Sequence, residues 1–292
     1  MDLRDLLIQA PALPGAAVEA FAAACPAARV TRREGAARLY GVADSADTRR
    51  IVTALAAYWE CDAALLAPDL HSRSFRLLVM DMDSTLVTIE GIDELARLAG
   101  KGAQVAAITE AAMRGQIRDY AQSLRRRVAL LKGADAGLAA QVIAERLQLS
   151  PGAGGLLDAA RVLGWRTLLV SGGFTVFADH VRDQLGIDAS WANALHSRDG
   201  RYTGEVSGPA QNGGQIVDAA AKARALREHC AALGCTPAQA VAIGDGANDL
   251  EMLAAAGLSV AFRAKPVVRE RAHIALDHSG LDGLLNAFAD RW

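Results

Sequence analysis

A chain of 292 residues has room for one large domain or two ordinary ones. With 52% hydrophobic and 22% charged residues it can build a substantial core, which excludes wholesale disorder. A formal net charge of −2 argues against a nucleic-acid partner held by a basic field, and no apolar run approaches the roughly 20 residues of a membrane span.

The opening stretch MDLRDLLIQAPALPG has an acid at its second position and no basic region before an apolar one, unlike a signal peptide. Cys25, Cys61, Cys230 and Cys235 are spaced for neither a zinc site nor a disulfide framework, so a reducing cytoplasm is the expected compartment. Residues 1–70 read as a small unit. LRDLLIQA predicts a strand, and Val18, Phe21, Ala22 and Cys25 recur at the spacing of one helix face. A hairpin turns at Glu34-Gly35. A helix then starts from a cap near Ser45, with Ile51, Leu55 and Tyr58 along one face, and CDAALLAP closes the unit as a strand. This β-α-β-β-α-β order is ferredoxin-like and, in element order, resembles the ACT-like amino-acid-sensing domains. It holds no ligand motif, so packing and self-association, including a homodimer, are its expected roles.

PDLHSRS reads as a linker. Beyond it the apolar runs RLLVM, RTLLV, AVAIG, LSVAF and HIAL alternate with helical periods. That alternation predicts an α/β, Rossmann-like parallel sheet covered on both faces, with ligands at the carboxyl ends of its strands. Between the first two runs lie more residues than one crossover helix needs, in stretches Ile92 to Ala99, Ala103 to Met113, Tyr120 to Leu131 and Gly137 to Leu147. We read residues 89–150 as an inserted helical cap, and 74–88 with 151–292 as the core.

Polar motifs stand where the strands end. Asp81 and Asp83 in DMDST share one side of an extended backbone, with Met82 facing the other. At about 4 Å two such carboxylates repel by roughly 4 kcal/mol at an effective dielectric of 20, so a proton, a cationic side chain or a metal must offset them. Taken alone, the pattern is most simply a polar turn. Ser171-Gly172-Gly173 ends RTLLV and suits either an anion site or a capped helix. Lys222 stands in DAAAKARAL, where an isolated lysine is most simply solvated. GDGANDLEML carries Asp245, Asn248 and Asp249 in a glycine-flanked turn whose hard oxygens suit Mg²⁺; it lacks the acids of an EF-hand loop.

In this order and at these strand ends the motifs resemble the haloacid dehalogenase superfamily. MDMDSTLVTIEGIDELA, AMRG, SLRRRVALLKG, VSGGF, TGEV, AIGDGANDL and AKP bring the chain nearest to its phosphoserine phosphatase family. The resemblance implies Mg²⁺-dependent hydrolysis of a small phosphorylated amino acid through an aspartyl phosphate. Transfer to an alcohol such as homoserine, and hydrolysis of another small phosphate ester, are the alternatives. A non-enzymatic phospho-accepting or amino-acid-sensing module is disfavoured by the second aspartate, Asp83, and by the helical cap. The resemblance implies Asp81 as nucleophile and Asp83 as the acid and base. Mg²⁺ would be held by Asp81, the backbone carbonyl of Asp83, and Asp245, with Asp249 supporting that site. Ser171, Gly172, Lys222 and Asn248 would meet phosphate; Glu90, Met113, Tyr120, Arg127 and Gly173 would shape the substrate pocket.

Spacing adds a check on Arg127. At 100° per residue it falls in the stripe of Tyr120, Leu124, Val128 and Leu131, whereas Arg125 and Arg126 point elsewhere. An arginine on an apolar stripe needs a partner: a substrate carboxylate, with Glu90 taking the ammonium, or Glu90 itself in a buried pair. The chain departs from the family pattern in three places. GQIRDYAQS is one residue longer, Tyr120 stands where phenylalanine is common, and SGPAQNGGQIVDAAAK is extended.

Overall fold

The computed structural model describes residues 2–292 apart from 115 and 118. The side chain of Met113 also lies outside the described residues, as does part of the lengthened turn before Tyr120.

The N-terminal elements are β1 (Leu3–Gln9), α1 (Gly15–Ala24), β2 (Arg29–Arg33), β3 (Ala36–Ala43), α2 (Ala46–Trp59) and β4 (Asp62–Leu66). They build an antiparallel sheet of order β2-β3-β1-β4, the ferredoxin-like arrangement expected. Gly35 turns the hairpin at φ +67, a conformation that costs glycine little. Ser45 caps α2, its hydroxyl accepting the Thr48 N–H at 3.1 Å. The inner face of α2 differs from expectation. Val52, Leu55, Ala56 and Trp59 turn inward, whereas Ile51 and Tyr58 are exposed. Val52, Leu55, Ala56 and Trp59 recur at three- and four-residue spacing, so they form one continuous helix stripe on the sheet's apolar cluster that Ile51 and Tyr58 flank.

The core sheet comprises β5 (Leu77–Met80), β6 (Arg166–Phe174), β7 (Ala189–Arg198), β8 (Arg201–Ser207), β9 (Ala240–Gly244), β10 (Leu258–Phe262) and β11 (Ile274–Leu276). Its order is β11-β10-β9-β5-β6-β7-β8, parallel throughout except for the β7–β8 pair. Alternation along β5 sends Leu78 and Met80 into one apolar cluster and Leu77 and Val79 into another. Among the helices, α3 (Gly91–Leu98), α4 (Gly102–Met113), α5 (Tyr120–Ala129) and α6 (Leu138–Glu145) fall between β5 and β6. Helices α7 (Ala153–Val162) and α8 (Thr175–Leu185) cover the first face; α9 (Ala219–Ala232) and α10 (Leu250–Ala255) cover the second. The chain runs outward from β5 to β6 and β7, then crosses back to β9 on the other side. This reversal opens a crevice beside the carboxyl end of β5.

The β7–β8 hairpin was not among the expected strands. Arg198 pairs with Arg201 across Asp199 (φ 52) and Gly200 (φ 74), a two-residue turn. Its role is to brace the four-helix segment: Gly133 and Tyr202 N–H groups donate to Tyr202 and Ala134 carbonyls at 2.8 and 2.9 Å. The segment's two connections run side by side, Thr88 N–H to Gln148 O and Ser150 N–H to Leu86 O, both at 2.9 Å. The N-terminal sheet is docked on the core by Asp62, whose carboxylate accepts the N–H groups of Asp277, His278 and Ser279 at 2.7, 2.9 and 2.9 Å.

Candidate active site

Strands β5, β6 and β9 deliver Asp81, Ser171 and Asp245 to one cavity of about 620 Å³. From the core it is lined by Asp81, Asp83, Ser171, Gly172, Gly173, Asp245 and Asn248, and from the helical segment by Glu90, Tyr120 and Arg127. Every residue singled out from the sequence is therefore at this cavity except Lys222 and Asp249, which lie beneath its floor, and Met113, whose side chain is not described.

Asp81 leaves β5 with its Oδ1 fixed twice, by its neighbour's Met82 N–H and by Lys222 Nζ, each at 2.7 Å. Its Oδ2 has no protein hydrogen bond among the described residues. Asp83 faces the same cavity while Met82 is fully buried in the core, as alternation requires. The Gly91 N–H reaches Asp83 Oδ1 at 3.2 Å. Between the aspartates and Glu90 the backbone turns sharply, with Ser84 at φ 57 and its hydroxyl donating to Glu90 Oε1 at 2.7 Å.

Lys222 is fully buried, which overturns the solvated reading of an isolated lysine. Its ammonium bridges Asp81 Oδ1 and Asp249 Oδ1, both at 2.7 Å. Asp249 Oδ2 accepts the Asp245 and Gly246 N–H groups at 3.1 and 2.9 Å, so both its oxygens are already engaged. Thr85 donates to Asp245 Oδ1 at 2.9 Å. Gly244 is required here, since a Cβ would overlap the Asp249 side chain; at Gly246 a Cβ would displace the Asn248 amide.

Electrostatics reflect crowding. Burial, then the Asp249 carboxylate, push Asp81 well above the usual carboxylate range against the pull of Lys222. Burial and Glu90 push Asp83 up to about 8. Burial and Asp249 push Asp245 up to about 6. Burial alone would lower Lys222; its two carboxylate partners outweigh that and raise it. One ammonium does not balance this set. Asp81, Asp245 and Asp249 each present an oxygen within 4.8 Å of the others. Surplus negative charge and hard oxygen donors fit a divalent cation such as Mg²⁺.

Ser171 Oγ accepts the Gly173 N–H at 2.8 Å, which leaves its hydroxyl hydrogen free to point outward. Tyr120 OH donates to the Gly172 carbonyl at 3.2 Å, a bond the common phenylalanine could not make. Overhead, Arg127 is half-buried and Arg125 and Arg126 are exposed, as the helical stripe predicts. Among the described residues Arg127 forms no ion pair with Glu90, its charge is felt by the Asp93 carboxylate, and its buried Nε has no hydrogen-bond partner.

Asp93, Ser123 and Lys265, which stand in the quoted motifs without an assigned role, also line the cavity. Sequence reasoning missed Thr109, which lines it too, and Asn193 behind it. Thr109 was legible in principle, because it follows Val105 by four residues on the inner stripe of α4. Asn193 gave no local signal. The extended segment before Lys222 closes on itself, with Asn212 Nδ2 donating to Gln215 and Ile216 carbonyls at 2.7 and 3.2 Å.

A family model described as haloacid dehalogenase-like hydrolase matches residues 75–257. The chain belongs to the haloacid dehalogenase-like hydrolases. It is 53% identical over 218 residues to a phosphoserine phosphatase of Polaromonas sp., covering 75% of this chain and 92% of that one. Among solved structures, a HAD-family hydrolase from Salmonella enterica serovar Typhi matches with a TM-score of 0.86 at 29% identity, over 99% of each chain. A probable phosphoserine phosphatase from Vibrio cholerae, in unliganded form, matches at 0.81 and 34% identity, over 99% of this chain and 87% of that one.

Proposed function

We infer that this protein is a Mg²⁺-dependent phosphatase that hydrolyses O-phospho-L-serine to L-serine and phosphate, the last step of serine biosynthesis. The observation that carries this reading is one cavity with paired aspartates in its floor and, in its roof, an arginine whose Nε has no hydrogen-bond partner among the described residues. The names of the similar phosphatases support it.

Asp81 Oδ2 attacks phosphorus as Asp83 gives its proton to the departing serine oxygen, so the ester P–O bond breaks and an aspartyl phosphate forms. Water then attacks phosphorus, Asp83 takes its proton, and the Asp81 carboxylate leaves with phosphate released. The raised pKa of Asp83, about 8, supports a group that holds a proton at neutral pH. Lys222 pulls Asp81 toward its ionised form, against burial and Asp249, and orients it through Oδ1. Ser171, the Gly172–Gly173 turn and Asn248 grip phosphate oxygens. Asp81, the backbone carbonyl of Asp83, and Asp245 would hold Mg²⁺, with Asp249 fixing the turn that carries Asp245. Bound there, the ion supplies positive charge against the phosphate oxygens. Arg127 takes the substrate carboxylate as a two-point fork, Glu90 the ammonium, and Tyr120, Gly173 and Met113 bound the remaining space.

In this reading residues 89–150 act as a cap over a core of 74–88 and 151–292, with 1–70 an accessory unit. The cytoplasm is the working compartment, a reading supported by four free cysteines. No helix among the described residues is long and apolar enough to cross a membrane. Phosphate release from a panel of phospho-amino acids and sugar phosphates, with Mg²⁺ and with EDTA, tests the reading. Preference for phosphothreonine or a sugar phosphate would overturn the substrate, and metal-independent turnover the mechanism. Diversion of the phosphoryl group to saturating homoserine would make it a transferase.

A further inference from the structure

Asn193 has no part in the reaction as described, yet its side chain is fully buried and both ends are used. Its Nδ2 donates to the Gly172 carbonyl at 2.8 Å, and its Oδ1 accepts the Val217 N–H at 2.9 Å. The reason lies in the sheet. Between the pairs Val170–Trp191 and Phe174–Asn193, β6 runs longer than β7, so Ser171, Gly172 and Gly173 leave the ladder. The Asn193 amide fills that gap and supplies a hydrogen bond that the backbone of β7 cannot.

The peptide unit joining Gly172 to Gly173 is consequently fixed at both edges. Its carbonyl takes Asn193 from the core and Tyr120 from α5; its N–H goes to Ser171 Oγ at 2.8 Å. Because that oxygen accepts from Gly173, the Ser171 hydroxyl hydrogen is left for the cavity. The other end of Asn193 holds Val217, next to Asp218, whose carboxylate caps the first turn of α9 through the Ala221 N–H at 2.8 Å. Lys222 follows on that same turn. One amide thus ties the Ser171–Gly173 turn to the start of the helix that carries the lysine under Asp81.

We propose that Asn193 is a positioning residue for phosphate binding, setting the plane of the Gly172–Gly173 peptide and the placement of α9 together. The inference rests on the reading of Ser171–Gly173 as a phosphate grip. An amide suits this task because it donates from Nδ2 and accepts at Oδ1, two atoms aimed in different directions. Aspartate of the same shape could accept from Val217 but would oppose the Gly172 carbonyl with a second acceptor; alanine would do neither.

Kinetics of N193D and N193A, with thermal unfolding as the control for folding, test the proposal. The substrates are O-phospho-L-serine and p-nitrophenyl phosphate, and inorganic phosphate is the competitive inhibitor. Each variant is expected to weaken inhibition by phosphate about tenfold, the scale of one lost buried hydrogen bond. The value of kcat/KM should fall by a similar factor on both esters, with N193D at least as impaired as N193A. A space-filling role predicts the reverse order, with isosteric N193D near wild type. A folded N193D that keeps wild-type inhibition by phosphate, or a loss confined to phosphoserine, overturns the proposal; if N193D does not fold, the same criteria apply to N193A. Wild-type protein that leaves phosphoserine intact would instead overturn the function, a result separable from either variant's.

Discussion

The floor and the roof of the cavity are built to opposite standards. In the floor, Asp81 Oδ1, both oxygens of Asp249, Lys222, Ser171 and the Gly172 carbonyl all have protein partners within 3.2 Å. In the roof, Arg127 Nε and Thr109 Oγ1 are buried without a hydrogen bond among the described residues. Buried polar groups are normally satisfied, and each exception costs about 1–3 kcal/mol. The contrast assigns two tasks. The floor fixes the reacting groups before anything binds, whereas the roof keeps donors in reserve that a ligand must satisfy.

The largest effect is expected where the floor meets the substrate. Asp81→Asn removes the attacking oxygen's charge while keeping its shape, so turnover should fall by at least about 10⁴-fold. The protein should still fold, because burial and neighbouring carboxylates already disfavour the charge at that position. Full turnover by D81N in a phosphate-release assay would refute the nucleophile.

Lys222→Met probes the pairing inside the floor. It leaves Asp81 and Asp249 facing each other without their shared cation, in a site with no exposure at the lysine. Breaking a buried pair from one side costs roughly 3–5 kcal/mol, to be read by denaturant unfolding, with turnover lost as well. If K222M unfolds like wild type, the lysine does not hold the floor together.

The sequence made the floor more legible than the roof. Asp81, Asp83 and Asp245 could be placed because short apolar runs end in them, and strand alternation then fixes which way they face. Lys222 could not be placed on its own residues: an isolated lysine in an alanine-rich helix looks solvated, and its partners arrive from distant strand ends. Asn193 and the β7–β8 hairpin were missed for a related reason. An edge hairpin facing water carries polar residues that blur the strand pattern, although Asp199-Gly200 is itself a strong turn signal. The face of α2 was misjudged because Ile51 and Tyr58 look like core residues, while the sheet selected Val52 and Trp59.

In the roof, Arg127→Ala should discriminate between ligands where floor variants do not. It removes the donor kept for a carboxylate, so kcat/KM for phosphoserine should fall about 10²-fold. Hydrolysis of p-nitrophenyl phosphate, which has no carboxylate, should change by less than about threefold. Equal losses on both esters would mean that Arg127 supports the floor or the fold. Thr109→Val should act in the same direction, more weakly, by about threefold to tenfold on phosphoserine.

The smallest effect is expected at a carboxylate in the opposite electrostatic situation. Asp188 sits by the far end of β6, away from the cavity, and accepts from Arg166, the Thr167 N–H and the Thr167 hydroxyl at 2.7, 2.8 and 2.8 Å. Partial burial pushes its pKa up, but the Thr167 and Arg166 hydrogen bonds outweigh burial and leave it below the usual range. A carboxyl lowered on folding stabilises above its unfolded pKa of about 3.9, and that stability is lost as pH falls through the lower folded value. Asp188→Asn should therefore lower the thermal midpoint by about 2 °C at pH 7, with the gap to wild type closing below about pH 3.5. Its side chain is 36% exposed, so solvent screening keeps the effect small. Turnover of phosphoserine should stay within about twofold of wild type, because nothing at Asp188 touches the cavity. A gap that widened in acid would reverse the sign of the contrast between this carboxylate, held charged by its neighbours, and those of the floor, held against charge by theirs.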